Sequence, residues 1–167
     1  MKKLILFCLI ALVAVGVYAD SNTVWRYSSE AGLYHITQDV IIFNGEDIVT
    51  PEDGTGIMVT FANIGGDIIM LIAPGDPYNL DGKIDRVFFA DSIDTLEETG
   101  TMFEATFTDG CVSFSDDDSE YIYNEMKYAT QKFFMLMNSE NSSEYVLFNV
   151  NCDRLYKYSN YLSKSMF

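Results

Sequence analysis

Three groups of residues in this 167-residue chain could do chemistry: the acidic loop from Asp76 to Asp85, the single histidine His35, and the cysteines Cys8, Cys111 and Cys152. The loop reads Asp76-Pro77-Tyr78-Asn79-Leu80-Asp81-Gly82-Lys83-Ile84-Asp85. Calcium loops place oxygen ligands at alternate positions and use a glycine for the sharp turn. Asn79, Asp81, Gly82 and Asp85 fit that spacing. The first ligand position, however, falls on Pro77 and the twelfth on Phe88, so the anchoring carboxylates are missing. No metal site is expected, and the loop reads as a Pro/Gly turn feeding a strand at Ile84–Phe89.

Nucleophilic catalysis fares no better. A Ser-His-Asp or Cys-His arrangement needs His35, which stands inside an alternating run and reads as an ordinary strand residue. Paired carboxylates could serve glycoside hydrolysis, but with 25 Asp and Glu such pairs arise in any arrangement and single out nothing. Gly-rich phosphate loops, HExxH and CxxC motifs are absent. The expectation is a protein without enzymatic activity or cofactor.

The first 19 residues explain where such a protein acts. Lys2 and Lys3 precede an unbroken apolar run from Leu4 to Val17, and Val17-Tyr18-Ala19 leads into Asp20. A positive end, a short apolar core and small residues at the cleavage point make a secretory signal peptide, too short to span a bilayer comfortably. Residues 1–19 are therefore expected to be removed, leaving residues 20–167 as one secreted domain with no transmembrane segment. Cys8 leaves with the leader. Cys111 and Cys152 remain, and in an oxidising compartment they are expected to pair as the sole disulfide, closing a loop of about 40 residues worth roughly 3–4 kcal/mol on a chain-entropy estimate.

Loss of Lys2 and Lys3 leaves eight basic against 25 acidic residues, a net charge of −17. So acidic a surface repels phosphate, which excludes nucleic acid as a partner, and it attracts amines and basic proteins.

Period-two alternation dominates the mature chain. It is clearest in Phe103-Glu104-Ala105-Thr106-Phe107-Thr108, and it recurs where Tyr34, Ile36, Val40 and Ile42 share one face and Ile57, Val59 and Phe61 another. Further strands are predicted at Ile68–Ile72, Ile84–Phe89, Cys111–Phe114, Phe133–Met137 and Tyr145–Val150. Asp109-Gly110 between two alternating runs predicts a two-residue hairpin. Eight short strands at roughly ten-residue spacing imply an antiparallel eight-stranded barrel or a β-sandwich. From Asp153 to Met166 the spacing of Leu155, Tyr158, Leu162 and Met166 predicts a C-terminal helix with Asn151 or Asp153 as its cap. Residues 120–130 fit helix and strand equally. The polar run Asn138–Ser143 separates two apolar runs and predicts an exposed turn, with Asn141-Ser142-Ser143 a glycosylation acceptor in a eukaryotic host.

The two ends of the mature chain carry a resemblance. Trp25, followed by the strand Tyr34-His35-Ile36-Thr37, resembles the opening of arthropod salivary lipocalins. Glu144-Tyr145-Val146-Leu147-Phe148, followed by Cys152 and the Leu155–Tyr161 segment, is similar to that family's last barrel strand and Cys-bearing helix. Thr23 stands where the family's Gly-x-Trp has its glycine. The resemblance implies an eight-stranded barrel with a small ligand inside and no catalysis. Tyr34, Phe61, Phe103 and Phe107 would line that interior, with Trp25 at its closed end. The expected partner is a small apolar or cationic amine ligand held inside. The alternative is a basic protein bound by the acidic face of a sandwich.

Overall fold

The computed structural model describes residues 25–30, 33–39, 41–44, 47–49, 56–76 and 78–162. The leader with Cys8, Val40 and Met166, all used above, lie outside the described residues, as does the side chain of Tyr34. No helix among the described residues is long and apolar enough to cross a membrane.

The described residues are mainly β, in two six-stranded antiparallel sheets. The strands are β1 (Arg26–Glu30), β2 (Leu33–Asp39), β3 (Ile41–Asn44), β4 (Asp47–Val49), β5 (Ile57–Ile64), β6 (Asp67–Pro74), β7 (Arg86–Ala90), β8 (Thr101–Glu104), β9 (Thr106–Thr108), β10 (Cys111–Ser113), β11 (Gln131–Asn138) and β12 (Asn141–Asn151). The first sheet runs β1-β2-β5-β6-β10-β9 and the second β4-β3-β12-β11-β7-β8. Among the described residues three α-helices are added: α1 (Ile93–Thr99), α2 (Asp116–Met126) and α3 (Ser159–Leu162).

Two of the expected single strands prove to be corners. The run from Tyr34 to Ile42 is divided into β2, which pairs with β5, and β3, which pairs with β12 in the other sheet. The run Phe103–Thr108 is divided at Ala105, whose N–H donates to the Asp85 carbonyl at 2.9 Å instead of joining a ladder. Its first half pairs with β7 and its second with β10. Strands that bend from one sheet to the other are how orthogonally packed sheets make their corners. The order is not a simple meander, because β6 lies beside β10 and not beside β7.

Alternation turns one face of each sheet to a common core. Ile57, Val59 and Phe61 of β5 meet Val87 and Phe89 of β7, Phe134 and Leu136 of β11, and Phe148 and Val150 of β12. The aromatic rings touch in sequence: Phe89–Phe134 at 5.0 Å and Phe134–Phe148 at 5.3 Å, the latter stacked with 6° between planes. The expected hairpin forms at Asp109-Gly110, with φ of 53° and 79°. A two-residue turn with both φ positive matches the twist of the strands it joins.

Residues 116–126 settle as helix. The Ser115 hydroxyl accepts from the Asp118 N–H at 3.1 Å, and Asp116, Asp117 and Asp118 occupy the first turn, where the helix dipole favours negative charge. Ile122, Tyr123 and Met126 then point into the core. Within the described residues the predicted C-terminal helix is broken: a 3-10 turn at Leu155–Tyr158 leads into α3, and Arg154 precedes it in the left-handed region with φ of 65°. Asn151 does cap, accepting from the Asp153 N–H at 2.9 Å, but it closes a turn before the helical segment. Helix α1 was not expected from the sequence. Its Leu96 packs on Phe133 and Met135 of β11.

Candidate functional site

The β5–β6 hairpin, the start of α2 and α3 enclose an open cleft of about 390 Å³. Each wall follows from local chemistry. Gly65 and Gly66 take φ of 67° and 104°, which lets the hairpin turn tightly and places Asp67 at the rim. Asn63 is buried beneath that turn. Its side-chain oxygen accepts from the Gly66 N–H at 3.2 Å, and its amide donates to the Leu162 carbonyl, tying the hairpin to α3. On the opposite wall α2 presents Asp116, Asp117 and Glu120, with Lys127 as the one cation among the lining residues.

Lys127 is already engaged. Its ammonium donates to Asn124 Oδ1 at 2.9 Å and lies 5.2 Å from the ring centroid of Tyr128, an exposed tyrosine. The floor is less polar. Tyr123 is buried, with its hydroxyl 3.1 Å from Ser159 Oγ, and burial pushes its phenol above the ordinary tyrosine range. Four carboxylates against one ammonium make the cleft a place where a cation is favoured. No cluster of His, Cys, Asp or Glu arranged to hold a metal occurs among the described residues.

A second cleft of about 220 Å³ lies between α1, β7 and β11. Lys132 is almost fully buried there, with Nζ 2.6 Å from Asp91, 3.8 Å from Glu125 and 4.8 Å from the centroid of Phe89.

The residues expected to line an interior site fall into three groups. Trp25, Phe61 and Phe103 belong to the common core, with Trp25 and Phe61 rings 5.7 Å apart and Phe103 against Phe114 at 6.2 Å. Phe107 is half-buried and packs on that core from its margin, against Gly82 of the acidic loop. Tyr34 stands opposite Ser29 in the β1–β2 ladder. Neither described cleft is lined by any of the five. Glu104 is exposed, as its place in the alternation requires.

The expected disulfide is corrected. Cys111 and Cys152 are both buried and are not bonded to one another. On β10 the core-facing residue is Val112, so Cys111 is turned to the opposite face of its sheet, whereas Cys152 lies within the core after β12. Residue counting could not see that the two cysteines fall on different sides of a sheet. The Cys152 thiol donates to the Val150 carbonyl at 3.5 Å, and burial pushes it up to about 12.

In the acidic loop the side chains satisfy one another. Asn79 donates to Asp76 and accepts from the Asp81 N–H at 3.0 Å, and Asp85 is bound by Ser139. Asn141 is exposed, but the turn it was placed in lies earlier, at Ser139-Glu140, and Asn141 opens β12 opposite Asn138. His35 stands in β2 between Ser28 and Ala62. The acidic cleft was missed because its carboxylates come from segments about 50 residues apart; the only local signal was the Asp116-Asp117-Asp118 run behind a capping serine. The chain significantly matches no protein-family model, no curated protein and no solved structure.

Proposed function

We propose that this is a secreted, non-enzymatic binding protein that holds a basic protein partner through the cleft between the β5–β6 hairpin and α2. The observation that carries this reading is the convergence of Asp67, Asp116, Asp117 and Glu120 on one cleft of about 390 Å³. That volume lies at the low end of ordinary ligand pockets, large enough for one or two lysine or arginine side chains. The exposed ring of Tyr128 beside Lys127 adds an aromatic face on which a guanidinium can stack.

The barrel reading of the fold remains a proposal beside the sandwich. Its support is that β2 leads into β3 and β8 into β9, so that two bent strands join the sheets. Carriage of a small ligand inside, as the lipocalin resemblance implies, is less well supported, because Phe61, Phe134, Phe148, Ile122 and Met126 pack the space between the sheets. The order β6 beside β10 also differs from an up-and-down barrel.

The test is calorimetric titration with a lysine- and arginine-rich peptide at two salt concentrations. Binding is expected to weaken with salt and to fall at least about tenfold in a variant carrying Asp116→Asn, Asp117→Asn and Glu120→Gln. A control carrying Glu140→Gln, Glu144→Gln and Asp153→Asn removes as much charge at exposed positions elsewhere and should keep full affinity. Equal losses in both variants would reduce the effect to net charge. Stoichiometric binding of a biogenic amine unaffected by the cleft variant would favour the interior site.

A further inference from the structure

The smaller cleft, of about 220 Å³, has a wall that accepts hydrogen bonds and a floor that donates them. Ser92, Thr95 and Thr99 line it from α1 and its N-terminal cap. The Thr95 hydroxyl donates to the Ser92 carbonyl at 3.0 Å and the Thr99 hydroxyl to the Thr95 carbonyl at 3.3 Å. A hydroxyl has a single proton, so the 3.0 Å contact between Ser92 Oγ and Thr95 Oγ1 is donated by Ser92. All three protons are committed within the wall, and what each oxygen has left is lone pairs. The carboxylates of Asp91 and Glu125 add further acceptors. At the floor Lys132, more than nine-tenths buried, brings three N–H donors. Asp91 takes one at 2.6 Å, whereas Glu125 at 3.8 Å is beyond hydrogen-bond reach and the Phe89 ring centroid lies 4.8 Å away. Tyr121 completes the lining, 46% exposed, with its ring against Phe103 at 5.9 Å.

We propose that this cleft binds a neutral sugar, a single pyranose ring that is either free or the end unit of a glycan. A ligand here must bring several donors for the hydroxyl oxygens and carboxylates together with an acceptor for Lys132, and a ring of vicinal hydroxyls brings both. Charge narrows the choice. An anion meets Asp91 and Glu125, a cation meets the desolvated ammonium at the floor, and a neutral ligand incurs neither repulsion. The exposed ring of Tyr121 offers an apolar face to the C–H side of the sugar. The volume, below that of pockets for larger ligands, suits one ring and not a chain of them. The two clefts share no lining residue, so this site is separate from the acidic cleft, with Tyr121 and Glu125 on one side of α2 and Glu120 and Tyr123 on the other.

The test is NMR saturation transfer on the full chain with free glucose, galactose, mannose and N-acetylglucosamine, beside binding to immobilised glycans that end in each. At least one sugar is expected to bind at one site per chain with a Kd near millimolar, and equally at two salt concentrations because it carries no charge. Binding should weaken at least about tenfold in Lys132→Met and in Tyr121→Ala, whereas Glu144→Gln, exposed on β12 outside the cleft, keeps full affinity. Response to free sugars assigns the site to a monosaccharide, and response to the glycans alone assigns it to a glycan end. No binding in either arm overturns the proposal, whether or not the variants fold. Natural affinity in folded Lys132→Met and Tyr121→Ala overturns it as well, as does binding that falls with salt. Glycine or succinate bound in this cleft while the sugars stay inert would overturn it by assigning the site to a charged ligand.

Discussion

Asp85 and Ser139, 54 positions apart, are joined at two points: the Ser139 N–H donates to one Asp85 oxygen at 2.8 Å and the Ser139 hydroxyl to the other. The residue that sequence spacing offered as a calcium ligand instead fastens the start of β7 to the β11–β12 turn. The Ser139 hydroxyl is the main cause of a lowered Asp85 pKa, from a usual value of 3.8, with burial opposing it and the Ser139 N–H and Arg86 adding to it. A folded-state pKa below the unfolded one gives stability that is present above about pH 4 and is lost as pH falls through the folded value. Asp85→Asn should cost about 1 kcal/mol at neutral pH, since the carboxylate is partly solvated, and nothing near pH 2. Urea unfolding at several pH values checks this. An equal loss at both extremes would show that the charge is not the source.

The ladders were largely legible because burial of one face imposes period two on the residues. Asp109-Gly110 was legible because only a few residue pairs accept two positive φ values cheaply. What alternation cannot reveal is where a strand changes sheets. Residues 103–108 keep their in-out pattern across Ala105 although the pairing partner changes from β7 to β10. Helix α1 was hidden for another reason. Ile93-Asp-Thr-Leu-Glu-Glu-Thr carries one fully buried apolar residue, Leu96, too few to set a helical period. The acidic cleft was illegible because it is assembled by the hairpin and α2 meeting in space.

Cys152 is expected to resist alkylation in the native protein. Burial pushes its thiol up to about 12, the nearby Lys132 ammonium pulling it down and Asp91 opposing that pull, so the reactive thiolate is almost absent at about pH 8. Iodoacetamide should label it only after denaturation. Mass mapping of the native protein should find no peptide linking Cys111 to Cys152. Labelling at the rate of a free thiol would place Cys152 outside the core.

Asn141 should carry a glycan when the chain is secreted from a eukaryotic cell. The residue is exposed at the first position of β12, next to the Ser139-Glu140 turn, so an attached sugar meets solvent and not packed side chains. A glycosidase-sensitive mass, lost in Asn141→Gln without change in thermal midpoint, is the expected outcome. An unmodified product from such cells would mean that pairing with Asn138 withdraws the site from the transferase.

Lys132 provides a sharper test of energetics than any surface charge. Its side chain is 6% exposed while that of its closest partner, Asp91, is 83% exposed, so one ion is desolvated and its counter-ion is not. Glu125 at 3.8 Å and the Phe89 ring at 4.8 Å complete the surroundings of the ammonium. A half-solvated pair gains little Coulomb energy, yet the buried cation still needs company. Asp91→Ala should therefore destabilise by about 1–2 kcal/mol, because it strips the nearest countercharge and leaves the cation in place. Lys132→Met, which keeps the volume and removes the desolvated charge, should fall within about 1 kcal/mol of the natural protein. In the double variant the Asp91→Ala penalty should vanish. Equilibrium unfolding of the four proteins gives all three numbers. A loss in Lys132→Met larger than in Asp91→Ala would mean that the ammonium is a net stabiliser of the β7–β11 pair and not a charge the fold tolerates.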